Sequence, residues 1–364
     1  MAKEHSERNL LSFFSGRQFL IPLAALLALV LFNLIVDPEF FRVTYGRNSE
    51  GYPVLSGNLV SILDDGSELA ILAIGMTLVT AASGGQDISA GAVVAICGSV
   101  LLRVLCGTGV ASGQLQAPII AEFLVCCLAG ILCGAFNGAL VAFFRIQPMI
   151  ATLILFTAGR SIAAWINNNE LLRVTDSTFA CFGGYIKGVP IPTPVFIAVI
   201  CFAAVWALLR FTSLGLYVQS VGISEKTSRL NGLDPRIIKV GVFVIMGFCC
   251  AVAALIKVSR LSTINYSVIA KDIEMDAILA VALGGNPLSG GKFRMSSSIL
   301  GAYVIQFLTT TLYKLDVQSD ALSAYKAAAV ILLVVLSAPV VREKLMKLLR
   351  SVTEQKSSAD GGRI

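Results

Sequence analysis

Two short polar stretches interrupt long apolar runs and hold many of the residues able to do chemistry. SGGQDISAG (83–91) places Gly84, Gly85, Gln86, Asp87 and Ser89 between LAILAIGMTLVTAA and AVVAICGSVLL. LGGNPLSGGKF (283–293) sets Gly284, Gly285, Gly290 and Gly291 around Asn286-Pro287. The second invites comparison with the phosphate loop G-x-x-x-x-G-K-[ST], whose backbone N–H groups cradle phosphate. The register fails: counting back from Gly291-Lys292 puts Asn286 at the first glycine, and Phe293 stands where Ser or Thr belongs. Nucleophilic catalysis is no better served. The single histidine is His5, in the N-terminal tail, so no Ser-His or Cys-His pair forms within the apolar body. A zinc site would lack ligands. The main charges inside apolar runs are Asp87, Arg103, Arg160 and Asp276. Such residues are functional candidates, yet they build no dense carboxylate or histidine relay. A driving force is therefore expected from another subunit.

The elements that carry these residues are membrane spans. Of 364 residues, 56% are hydrophobic and 14% charged, and the mean hydropathy is +0.82. A soluble domain carries roughly 25% charged residues, and a large soluble α domain would need charged helix faces that are missing here. FLIPLAALLALVLFNLIV (19–36) and TPVFIAVICFAAVWALLRF (193–211) are long enough to cross a bilayer. The first lacks a small-residue cleavage site after it, so it reads as a spanning helix and not a signal peptide. Most of the nine cysteines lie within apolar runs, as small buried hydrophobes do. Only Cys106 and Cys181 fall near segment ends, where a bridge is disfavoured but conceivable. No cofactor is implied.

Apolar runs and breakers predict an all-α polytopic membrane protein with about ten transmembrane helices and two glycine-interrupted helix breaks. The spans are 19–36, 67–83, 88–106, 118–144, 147–166, 193–211, 237–258, 275–285, 294–313 and 325–341; the eighth is too short to cross alone. Lys and Arg collect in 210–239 and after 341, whereas 37–68 is acidic. Basic loops stay in the cytoplasm, which puts both termini, the 210–236 loop and Lys292/Arg294 inside. The net charge of +6 reads as this orientation signal and not as nucleic-acid binding. The external segment 167–194 is either a solvated linker or a docking surface for an external partner.

Asp87 precedes the helical run ISAGAVVAICGS, so it is expected to cap that helix, its carboxylate accepting the first free N–H groups. Gly84-Gly85 allows a sharp turn. Non-helical backbone at membrane depth is tolerated only inside protein or along a water-filled cavity, so a structural cap and a polar path are both open. Paired interruptions in the two halves are what transporters use to build a midplane pathway.

The run from about 58 to 340 resembles the permease subunits of ribose- and galactofuranose-type ABC sugar importers. GGQDISAG (84–91) is similar to that family's GGIDLSVG element. Asn137-Gly138 with IQPMIATLILFTAGR (146–160) resembles N-G-x-L…P-F-I-A-T-L…R. MDAILAVALGGNPLSGGKF (275–293) resembles L-D-A-I-x-A-V-x-x-G-G-x-S-L-x-G-G. Gln86 departs from the family by replacing an aliphatic residue, and Thr227-Ser228 replace an alanine pair. The insertion around 42–57 fits the galactofuranose-like branch.

The resemblance implies the ABC importer permease fold in the cell inner (cytoplasmic) membrane. Residues 1–18 and 342–364 would be cytoplasmic tails around a transmembrane domain, 19–341. The partners implied are a cytoplasmic ATP-binding cassette subunit, an external sugar-binding protein, a second permease copy or paralogue, and membrane lipid. The coupling loop would be 212–236, with a short helix of about 222–231 ended by Gly232; a solvated loop helix would have the same pattern. Gly215, Gly222, Lys226, Arg229 and Gly232 are its candidate ATPase-coupling residues. Gln86, Asp87, Ser89, Asn137, Thr152 and Asn286 are candidates to line a path for a monosaccharide, and Arg160 either binds sugar or ties helices together. A self-sufficient secondary carrier or channel is the alternative.

Overall fold

The computed structural model describes residues 17–47, 53–107, 109–112, 118–318, 321–328 and 331. Among these residues, five helices are long and apolar enough to cross a membrane: α2 (Asn58–Ser83), α4 (Ile119–Ala142), α5 (Pro148–Ile166), α7 (Thr193–Phe211) and α10 (Pro235–Leu261). The other helices are α1 (Arg17–Val36), α3 (Ala90–Cys106), α6 (Ser177–Ala180), α8 (Leu214–Ile223), α9 (Glu225–Leu230), α11 (Ile273–Leu283) and α12 (Met295–Lys314). The predicted eighth span is the 11-residue α11, about 16 Å at 1.5 Å per residue, or half the hydrocarbon thickness. Beyond 328, the predicted span 325–341 lies almost wholly outside the described residues, as do the tail 342–364 and most of the tail 1–18.

The chain falls into two compact units, Met1–Thr310 and Thr311–Ile364. In the second unit, the last turn of α12 closes with Val317 N–H donating to Leu312 O at 3.2 Å, and residues 321–328 are helical.

In the first unit α2 is the central helix. It is apolar nearly all round, and every residue from Gly66 to Ala82 is buried, the expected state of a helix without a polar face. α10 lies against α2, α3 and α4. Its closest approach is to α4, whose Gly130, Gly134 and Gly138 recur at helical spacing four. A methyl carbon placed on Gly134 would lie 2.2 Å from Phe243 O, and one on Gly130 2.3 Å from Gly247 O. Small residues let helix backbones meet where lipid offers no hydrophobic push. This three-glycine face was not among the sequence expectations, although its spacing is plain in LAGILCGAFNGAL (128–140).

Several boundaries depart from expectation for identifiable reasons. α2 begins nine residues before the predicted 67, because Asp64, Asp65 and Glu68 find cationic partners and continue the helix. The helix expected over 222–231 is two helices. Ser224 (φ −161°) separates α8 from α9, and its hydroxyl accepts from Thr227 N–H at 3.3 Å, capping the second. Gly232 ends α9 at φ +78°.

The connection 167–192 is folded and packed. Arg173–Val174 (β4) pairs in parallel with Ala111–Ser112 (β3). Asp176 caps α6, and Leu172, Val174 and Phe179 are fully buried. Gly183 N–H donates to Ser259 Oγ at 2.9 Å. Tyr185 donates to Leu55 O at 2.9 Å, and burial raises its phenol pKa above the ordinary value. The segment is thus anchored at Leu172, Val174, Phe179 and Gly183, while residues 168–171 and 186–188 stay exposed. Thr44–Arg47 (β1) and Pro53–Ser56 (β2) form an antiparallel hairpin within the 42–57 insertion. All nine cysteines are free, so Cys106 and Cys181 are not bridged.

Candidate functional site

α2 stops after Ser83 because Gly84 turns left-handed at φ +63°, its N–H donating to Thr80 O at 3.0 Å. The chain then runs without helix to α3. Buried Asp87 accepts from Ser89 N–H at 2.8 Å and Ser89 Oγ at 2.6 Å through one oxygen. The Ser89 hydroxyl accepts from Asn137 Nδ2 at 2.8 Å. Ile88 N–H donates to Thr152 Oγ1 at 3.1 Å. Asp87, Ser89, Asn137 and Thr152, drawn from three separate stretches of sequence, thus form one buried polar group. Gln86 is buried next to Asp87 in the chain. Asn137 Oδ1 has no hydrogen-bond partner although it is buried, an unusual state for a buried acceptor.

The expected capping geometry is corrected in detail. α3 begins at Ala90, two residues later than predicted, and Ser89 occupies the cap position without a side-chain capping bond. Asp87 instead holds the turn that leads into the helix.

The second interruption is closed by Asn286. Its Nδ2 donates to Arg294 O at 3.2 Å and to Ser298 Oγ at 2.7 Å, while its Oδ1 accepts from Arg294 N–H at 2.8 Å. Thr77 on α2 donates to Ser298 Oγ at 2.7 Å. Asn286 therefore staples the loop to α12, and through Ser298 to α2. Among the described residues no hydrogen bond joins it to the Asp87 group.

The two interruptions meet. Ending a helix frees its last carbonyls, and the Ala81 carbonyl released this way accepts from Gly291 N–H at 2.9 Å. Gly291 reaches it at φ +98°, and Gly285 and Gly290 are also left-handed, at +74° and +90°. Gly84 lies against Ser289 O and Gly290, Gly85 against the Pro148 ring, and Gly284 against Ser297 O. The third member comes from α8. A methyl carbon on Gly222 would lie 1.8 Å from Ala81 O and 2.6 Å from Gly291 N. Such closeness leaves no room for a side chain. Of the remaining candidate coupling residues, Gly215 lies in the first turn of α8 near Leu209 O, Lys226 and Arg229 are exposed on α9, and Gly232 has nothing within 4 Å of a would-be methyl.

Two further features bear on the site. At the other end of α2, Arg260 of α10 contacts Asp64 at 2.9 Å, Asp65 at 2.5 Å and Glu68 at 2.9 Å, and Lys257 contacts Glu68 at 3.0 Å. Sequence reasoning took these acids only as orientation signals. Arg160 donates from one nitrogen to the carbonyls of Tyr266, Ser267 and Ile269 at 3.0, 3.2 and 3.1 Å, so it ties a connection to α5. Among the described residues, no group of three or more His, Cys, Asp or Glu is placed to hold a metal ion.

The family described as branched-chain amino acid transport system / permease component matches residues 58–338, which contain both interruptions and α8. This chain belongs to that permease family. The permease is 37% identical over 290 residues to the galactofuranose transporter permease protein of Escherichia coli strain K12, covering 79% of this chain and 80% of that protein. It is 33% identical over 325 residues to the fructose import permease protein of Bifidobacterium longum, covering 87% and 86%. It is 34% identical over 326 residues to the ribose import permease protein of Haemophilus influenzae, covering 86% and 91%. No solved structure matches significantly. The motifs quoted from the sequence thus lie within the matched region, and the permease is a multi-pass membrane protein of the importer class.

Proposed function

We infer that this permease is the membrane subunit of an ATP-driven monosaccharide importer, moving ribose, galactofuranose, fructose or a related sugar inward. The relatives' names support the substrate class. The observation that carries the mechanism is the three-way contact of Gly222, Ala81 and Gly291. In our reading 212–236 is the coupling loop, α8 and α9 receive motion from a cytoplasmic ATPase, and Gly222 passes it to both helix breaks together. Differential contacts of that kind let a partner shift an equilibrium between two states.

The path itself would run beside the first break. Neutral sugars need scattered donors and acceptors more than a charged pocket. Asp87, Ser89, Asn137 and Thr152 supply such a set, with Gln86 beside them. The unused acceptor on Asn137 suits a sugar hydroxyl in a state where the group opens. Asn286 is withdrawn to a supporting role, since its side-chain polar groups are engaged in closing the second loop. α11 would be a half-helix ending at membrane depth. The reading completes itself with ten spans, both termini in the cytoplasm, an external sugar-binding protein docking on the folded 167–192 face, and a second permease copy or paralogue across the path.

The test is reconstitution in lipid vesicles. The permease with its ATPase and binding protein should accumulate sugar only with ATP, and the chain alone should be inert. Sugar flux through the chain alone, driven by an ion gradient, would overturn the reading in favour of a secondary carrier.

A further inference from the structure

A cavity of about 260 Å³ lies where the α4–α5 turn meets α9 and the start of α10. It is lined by Arg145, Arg229, Arg236 and Lys239, with Glu225 its single acid. Glu225 is already paired with Lys239. Among the described residues, Arg145, Arg229 and Arg236 have no acidic partner. Three unneutralised guanidinium groups around one hollow repel each other and raise a local positive potential. Arg145 is also a non-glycine residue held at φ +56°, a conformation with a steric cost. Uncompensated charge and a strained backbone at one hollow call for an anion.

The surroundings decide which anion. The same turn carries Phe143 and Phe144, α5 adds Ile150, and α10 adds Ile237 directly after Arg236; all four are exposed apolar side chains. A soluble anion gains nothing from exposed apolar side chains one to two residues along the chain from the cavity's own lining. A molecule with a phosphate on top and acyl chains below uses both. Arginine also matches phosphate oxygens in a bidentate fork.

We propose that this cavity is a binding site for the phosphodiester headgroup of an anionic phospholipid, with the acyl chains lying along Phe143, Phe144, Ile150 and Ile237. The lining includes Glu225 and Arg229 of α9, so the headgroup lies beside the proposed coupling surface and leaves the exposed outer face of α9 to the ATPase. The proposal concerns binding to the chain itself and holds whatever the permease transports.

The test is lipid retention by the full-length permease, purified in detergent and washed, then mixed with phosphatidylglycerol or phosphatidylcholine and weighed by native mass spectrometry. The wild-type protein should keep phosphatidylglycerol and release phosphatidylcholine. Arg145→Gln with Arg236→Gln should weaken phosphatidylglycerol retention roughly 30-fold, and Arg145→Gln alone about fivefold, as expected for two and one lost surface cations. Lys271→Gln, in the connection before α11, should change nothing. If the paired variant does not fold, the single exchange of exposed Arg145 gives the same reading. Unchanged retention in both variants overturns the proposal. So does equal retention of phosphatidylcholine, which would mean an acyl groove only, or displacement by millimolar inorganic phosphate, which would mean a free-anion site.

Discussion

α2 is held differently at its two ends, against α10 where it begins and against α8 and the loop before α12 where it stops. Where α2 begins, charges do the work: Arg260 and Lys257 grip Asp64, Asp65 and Glu68 over 2.5–3.0 Å. Where α2 ends there is no charge in the contact at all, only Ala81, Gly222 and Gly291 backbone at close approach. Ion pairs tolerate small displacements because the field falls off slowly with distance. Close-packed backbone does not, since a few tenths of an ångström already clash or part. The first end is suited to staying put and the second to passing on a push, and substitutions at each should differ accordingly.

The largest effect belongs to Gly222→Val. A side chain there meets Ala81 O and Gly291 N, both backbone atoms with no freedom to swing away. The strain should exceed the roughly 1–3 kcal/mol typical of an overpacked core. Sugar uptake should fall to background, and thermal unfolding in detergent should show a less stable protein. Normal uptake with an unshifted unfolding curve would mean that the three backbones do not meet.

Arg260→Ala should come next. It leaves three carboxylates facing one lysine, with Glu68 fully inside. Losing one partner of a buried ionic cluster costs about 3 kcal/mol. The stability loss should be recovered in part by adding Glu68→Gln, while ATP-driven uptake, corrected for the amount of folded protein, stays close to normal. A coupling defect without a stability defect would reverse the roles assigned to the two ends.

The contrast also explains what could be read from the sequence. Membrane class, most helices and the two interruptions follow from composition and spacing, because a bilayer enforces both along each segment separately. The clustering of Asp87, Ser89, Asn137 and Thr152 was expected as a set of path residues, but not the bonds that join them. Partners distant in sequence leave no trace in spacing. The ionic cluster was invisible for that reason: Asp64 and Arg260 are 196 residues apart. The α4 glycine face is legible in the spacing of Gly130, Gly134 and Gly138, but spacing alone does not say that another backbone lies against them. That Asn286 closes its own loop was not legible, because an amide inside a glycine loop looks the same whether it faces a path or bonds back to the chain.

Asn286→Ala probes the glycine end more gently. It removes the bonds to Arg294 and Ser298 and leaves Ser298 with Thr77 alone. Loss of a buried hydrogen-bonding side chain costs about 1–3 kcal/mol. Uptake should drop partially through a loosened second break, with the apparent affinity for sugar unchanged. A change in sugar affinity instead would restore Asn286 to the path.

Gly232→Ala should do least, and that makes it the sharpest control. Gly232 shares with Gly291 a left-handed backbone, at φ +78°, yet nothing lies within 4 Å of its would-be methyl. The only penalty is the left-handed conformation of an alanine, about 1 kcal/mol. Both Gly222 and Gly232 belong to the connection that should meet the ATPase, so a loop that merely needed flexible glycines would suffer equally at either position. If backbone contact with Ala81 and Gly291 is what transmits motion, Gly232→Ala keeps near-normal uptake and sugar-stimulated ATP hydrolysis. Failure at Gly232 as complete as at Gly222, in a protein that still folds, would shift the coupling contact from α8 to the end of α9 and dissolve the distinction between the two ends.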